Sequence, residues 1–129
     1  MDEVSEIEGP ALEGLVAQHL RAWCDYSNGG HGLYYWQTRS QVEVDFVIYG
    51  ESGLYAIEVK NTKKVRPEDL SALKSFGEDY PESQRFLLYR GSEKLVRDGI
   101  QCIPCETFLR ALKPGVIPFI GFAGGYEFL

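Results

Sequence analysis

The chain has 129 residues, 44% hydrophobic and 25% charged, enough for one domain around a single core. No apolar run is long enough to cross a bilayer and no secretory segment is present, so the sequence reads as cytoplasmic, with no membrane partner. The formal net charge is −6, but Asp2, Glu3, Glu6 and Glu8 supply four of those negatives, which leaves a nearly neutral body. That balance does not favour nucleic-acid binding, yet a bound divalent metal would alter the local field enough to permit it.

Residues 1–9 form an acidic lead-in, expected to be mobile, and residues 113–129 an apolar tail broken by Pro and Gly. Between them, residues 10–112 read as the domain. Pro10 suits the first turn of a helix predicted to run to about Asp25. Leu12, Leu15, Val16, His19, Leu20 and Trp23 recur at three- and four-residue spacing as its inner stripe, with Glu13 at the edge. His19 on that stripe reads as a hydrogen-bonded core residue rather than a base, and His31, in a glycine loop, says little. Leu33–Gln37 reads as a first strand. Its aromatics Tyr34, Tyr35 and Trp36 could stack on bases, although alternation should turn at least one of them into the core.

The richest segment is a strand pair, Val42–Ile48 and Leu54–Lys60, joined by Gly50-Glu51-Ser52-Gly53. Both strands alternate and both are rich in β-branched and aromatic residues. If Gly50 faces Gly53 across a tight hairpin, Asp45 lies opposite Glu58 and Glu43 opposite Lys60. Side chains alternate faces along a strand, so all four are expected to project from the same face. Facing carboxylates repel at a cost of roughly 0.2–1 kcal/mol, which a cation between them would relieve.

Pro67-Glu68-Asp69 opens a second helix with Leu70, Leu73 and Phe76 on its inner face, ending near Gly77 to Pro81. Arg85–Tyr89 reads as a fourth strand, Gly99–Ile103 as a fifth and Glu106–Leu112 as a short last helix. The order α-β-β-β-α-β-β-α predicts an α/β (α+β) domain: a mixed sheet flanked by helices, with an antiparallel meander first and a crossover that can set strand four parallel to strand three.

The three cysteines, Cys24, Cys102 and Cys105, are an odd count without a signal peptide and are expected to be reduced. Cys102-Ile103-Pro104-Cys105 is a single C-x-x-C pair. Zinc would need two further ligands from Cys24, His19 and His31, which do not form a second closely spaced pair, so packing is the expected role.

The oxygen ligands are more promising. Asp45 and Glu58 could give carboxylates and Val59 its carbonyl to Mg²⁺ or Mn²⁺, with Glu13 holding a metal-bound water or a second ion. Lys60 could orient an attacking water and stabilise a pentacovalent phosphate. Lys63, Lys64 and Arg66, just after the second strand of the pair, could face phosphates or simply form a solvated loop. The competing structural reading pairs Glu58 or Glu43 with Lys60 and satisfies Asp45 with backbone amides.

At these residues the chain resembles the PD-(D/E)XK nuclease superfamily, with its restriction-endonuclease-like fold. Asp45 followed by Glu58-Val59-Lys60 matches the D…E-x-K pattern, and Glu13 matches the acid that the family often carries on its first helix. Valine rather than proline precedes Asp45. The runs Tyr35-Trp36, Val42–Ile48, Ala56–Lys60 and Asp79-Tyr80-Pro81-Glu82 look like a domain of unknown function found at the C-terminus of prokaryotic AAA-type ATPases.

Two functions follow as expectations. One is a metal-dependent endonuclease acting on DNA more readily than RNA. The other is a non-catalytic module of nuclease fold that binds nucleic acid or a partner and regulates an ATPase, this chain being its C-terminal fragment. No G-x-x-x-x-G-K-[ST] motif occurs, so the ATPase would lie elsewhere. A homo-oligomer is a further possible assembly.

Overall fold

The computed structural model describes residues 9–27 and 30–113. Most of the acidic lead-in and almost all of the apolar tail lie outside the described residues. In chain order the elements are α1 (Gly9–Tyr26), β1 (His31–Gln37), β2 (Glu43–Gly50), β3 (Gly53–Val59), a 3₁₀ turn (Pro67–Leu70), α2 (Ser71–Asp79), β4 (Gln84–Tyr89), β5 (Leu95–Arg97), β6 (Ile100–Pro104) and α3 (Cys105–Ala111). None of the described helices is long and apolar enough to cross a membrane.

The six strands form one mixed sheet in the order β1-β2-β3-β4-β6-β5. The first three are an antiparallel meander. β3 pairs parallel with β4, and β4 with β6, as the crossovers require. Helices cover both faces, so the central strands alternate between two cores rather than between core and water. On one face Leu12, Val16, Leu20 and Trp23 of α1 and Phe108 of α3 meet Phe46, Ile48, Ile57, Phe86 and Leu88. On the other, Leu70, Leu73 and Phe76 meet Val44, Val47, Ala56 and Leu87. The predicted stripe of α1 holds at its centre, while Leu15 and His19 stand half-buried at its margin. His19 Nδ1 donates to the Leu15 carbonyl at 2.9 Å.

Two features depart from the strand pattern predicted above. β5 is a short extra strand that pairs antiparallel with β6 through Arg97 and Ile100. Its turn is Asp98-Gly99, with φ of 51° and 76°, the left-handed pair that a two-residue hairpin of this hand demands. The second is a β-bulge. Tyr34 pairs with Val47 but Trp36 pairs with Val44, so Asp45 and Phe46 together oppose Tyr35. Val44 and Val47 therefore both reach the α2 side, three residues apart, while Phe46 and Ile48 face α1. The alternation that would have placed Glu43, Asp45, Glu58 and Lys60 on one face is broken at Asp45.

The cysteines of the C-x-x-C pair are separated by the sheet. Cys102 packs on the α2 side and Cys105 on the α1 side, both buried. Burial pushes each thiol up to about 11. His31 Nε2 bonds Ser52 Oγ at 2.7 Å, and the His31 ring packs 4.7 Å from that of Trp23, so it fastens the β2–β3 turn to α1.

Candidate active site

The β2–β3 hairpin has the register that its glycines imply. Gly50 faces Gly53, and the ladder runs through Tyr49–Leu54, Ile48–Tyr55 and Val47–Ala56 to Phe46–Ile57. There it stops. β2 continues to Glu43 paired with β1, and β3 continues to Val59 paired with β4. The sheet thus opens between β2 and β3 while both strands hold their outer neighbours. Backbone groups at such an opening still need partners, and here the side chains of Asp45 and Glu58 provide them. The Asp45 amide donates to Glu58 Oε1 at 3.0 Å. Asp45 Oδ2 accepts from the Val59 amide at 2.8 Å.

Glu58 is 4% exposed. Burial first, and then the Asp45 carboxylate, push its carboxyl up to about 8; the amide bond from Asp45 and the charge of Lys60 pull it down without prevailing. Lys60 Nζ lies 3.9 Å from Glu58 Oε2. The lysine therefore pairs along its own strand with Glu58, and not across the hairpin with Glu43 as the register alone would have allowed.

Glu13 reaches this group from α1. Its carboxyl is raised by partial burial, then by the charge of Asp45 and a hydrogen bond with it, and then by Glu43, with Lys60 acting in the opposite direction. Glu13, Glu43 and Asp45 line a cleft of about 400 Å³, together with Tyr35, Trp36 and Gln37 of β1. Glu58 and Lys60 are not among its lining residues. Among the described residues, no three His, Cys, Asp or Glu side chains converge on one point closely enough to hold a metal ion as they stand.

Lys63, Lys64 and Arg66 follow β3 in an exposed loop, bent by Thr62, whose hydroxyl donates to the Lys64 carbonyl at 2.9 Å. Arg66 also serves structure: its amide donates to Asp69 Oδ2 at 2.9 Å and so starts the 3₁₀ turn. Of the three aromatics of β1, Trp36 turns inward, edge-on to Phe76 with ring centroids 5.2 Å apart, while Tyr34 and Tyr35 remain exposed. Glu43, which the hairpin register put on one face with Asp45, and Tyr35, read as a possible base-stacking residue, both line the cleft, though neither was read as a metal ligand. For Glu43 a signal was present: a second acid two residues before Asp45 on the same strand.

The chain belongs to a family described as a domain of unknown function, DUF4143, whose sequence model matches residues 8–108. The match runs from α1 into α3, so Glu13, Asp45, Glu58 and Lys60 all lie within it. The likeness of Tyr35–Lys60 to a domain of unknown function holds at this level. No curated protein matches the chain.

Proposed function

We propose that this domain hydrolyses phosphodiester bonds of DNA with the help of Mg²⁺ or Mn²⁺. The observation that carries the reading is the buried Glu58. A carboxyl 4% exposed, raised to about 8 and set beside a second carboxylate is costly to keep in a fold, and such groups gather where charge is used. The donor set suits a small divalent ion, which takes one or two carboxylates from protein and leaves its other positions to water and phosphate. Asp45 and Glu58 would hold it, with the Val59 carbonyl as third oxygen and Glu13 behind a bound water. When bound, such an ion lowers the pKa of a water and neutralises charge on the scissile phosphate.

The chain's own residues carry the rest. Lys60, 39% exposed at its side chain and tethered to Glu58 at 3.9 Å, can turn outward to orient a water and to hold negative charge on the phosphate. Glu58 would hold a cation only as the ionised carboxylate, so binding would release its proton to solvent. Lys63, Lys64 and Arg66 offer a contact for flanking phosphates.

The test is Mn²⁺-dependent cleavage of supercoiled plasmid and of a branched DNA duplex, with Asp45→Asn beside the wild type. Cleavage by the wild type alone is the expected result. A folded wild type that cleaves neither substrate would overturn the reading.

A second reading rests on a specific observation as well. Asp45 Oδ2 and Glu58 Oε1 each already accept a main-chain amide, which is a structural use of both acids. On that reading the domain is a non-catalytic module that regulates an AAA-type ATPase through nucleic acid or a protein partner.

A further inference from the structure

The α2 face of the sheet is covered unevenly. α2, nine residues long, packs over β2, β3 and β4. What it leaves open is the corner over β1 and the turn end of β2. There Tyr34, Tyr49 and Tyr80 stand 52%, 60% and 39% exposed. With Trp36, Phe76 and Glu82 they line a groove of about 740 Å³. Tyr80 packs against Phe76, with ring centroids 4.7 Å apart and planes tilted by 35°, so this wall is held in place. β1 is also the edge of the sheet, with no strand on its outer side among the described residues.

The charge of the groove selects among occupants. Among the described residues, Glu82 is its one charged lining group, and no lysine or arginine lines it. A surface that stacks single-stranded nucleic acid joins aromatic rings to a positively charged track, and this groove has only the rings. Tyrosine faces beside a carboxylate fit a cation instead. Guanidinium fits better than ammonium, because it is planar, weakly hydrated and stacks on rings. The open edge of β1 favours a ligand in extended conformation, whose backbone can lie along the strand.

We propose that this groove docks an extended, arginine-bearing segment of a partner protein, with the guanidinium over Tyr49 and Tyr34 and paired with Glu82. The groove shares Tyr35 and Trp36 with the cleft beside Asp45, but neither Asp45 nor Glu58 lines it, and it needs no metal, so its test does not depend on the hydrolytic reading.

The probe is a fluorescein-labelled peptide of alternating Arg and Thr, whose amides are free to pair with the β1 edge, titrated by anisotropy in chelator-containing buffer. A peptide with Gln in place of Arg and an oligothymidylate serve as the alternative ligands. Saturable binding of the arginine peptide is expected, weakened about fivefold in Tyr49→Ala and reduced also in Glu82→Gln. Both side chains are exposed, and circular dichroism checks that the variants fold. Absent binding, equal binding of the glutamine peptide, or no change in either variant would overturn the proposal. So would tighter binding of the oligothymidylate that is lost in Tyr49→Ala, since the occupant would then be nucleic acid.

Discussion

The carboxyls of Asp45 and Glu58 each accept a main-chain amide from the opposite strand at the point where β2 and β3 part. The Asp45 amide donates to Glu58 Oε1, and Asp45 Oδ2 accepts from the amide of Val59. Each carboxyl replaces a backbone acceptor that the ladder no longer provides. The pair is therefore part of the fold as well as the centre of the candidate site, and its electrostatics and its hydrogen bonding can be separated by substitution.

Glu58→Gln tests the electrostatics. The folded-state carboxyl is raised from 4.5 to about 8, so between those values the folded protein holds a proton that the unfolded chain has lost. Stability then falls as pH rises, by up to about 1.4 kcal/mol per pH unit. The contribution is complete below about pH 4.5 and is lost as pH passes through about 8. Thermal unfolding of the wild type should show a declining Tm over this window. Glu58→Gln keeps an oxygen for the Asp45 amide and cannot ionise, so its Tm should be flatter and, at about pH 8, higher. Parallel curves for the two proteins would contradict the assignment.

Asp45→Ala tests the hydrogen bonding. It leaves the Val59 amide without its acceptor at a half-buried position, at a cost of about 1–3 kcal/mol. It also removes the carboxylate that raises Glu58, so the pH slope should become shallower in the same variant. Urea unfolding at about pH 5 and about pH 8 measures both effects. A loss of stability equal at the two pH values would mean that Asp45 does not act on Glu58.

Lys60→Ala separates chemistry from binding. The ion pair with Glu58 is long, at 3.9 Å, and the lysine is 39% exposed, so its stabilisation is below about 1 kcal/mol. Cleavage should be abolished while Mn²⁺ affinity, measured by calorimetry, stays nearly intact. Equal cleavage by the wild type and Lys60→Ala would exclude the proposed role of the lysine.

What could be read from the sequence follows from the range of the interactions. The hairpin register was legible because Gly50 and Gly53 fix it locally, and it holds as far as Phe46 and Ile57. The stripe of α1 and the inner face of α2 were legible from periodicity alone. The bulge was not, because it depends on how β1 pairs with β2, and no pattern within Val42–Ile48 reveals that Tyr35 faces two residues. From the bulge follow the face of Asp45 and the cleft shared with Glu13. β5 was hidden by its length of three residues, yet Asp98-Gly99 carried a hairpin signal in plain view. The pairing of Lys60 with Glu58 rather than Glu43 was decided by the opening between the strands, which is again a tertiary event.

Two glycines should respond differently to alanine because different forces require them. At Gly99 φ is 76° and nothing lies within 4 Å of the place a Cβ would take, so Gly99→Ala meets only backbone strain, about 1–2 kcal/mol. At Gly50 the new Cβ would come within 2.0 Å of the Gly30 carbonyl oxygen and 2.6 Å of His31 Cα. Backbone on β1 must then shift, at a cost on the order of 3 kcal/mol. The damage should also spread, because His31 anchors the β2–β3 turn through Ser52. Urea midpoints rank the two variants, and amide exchange at Tyr55 and Ile57 reports the spread. A Gly50→Ala variant no less stable than Gly99→Ala would show that β1 yields at its start, and would remove the argument that the β1–β2 contact fixes the hairpin.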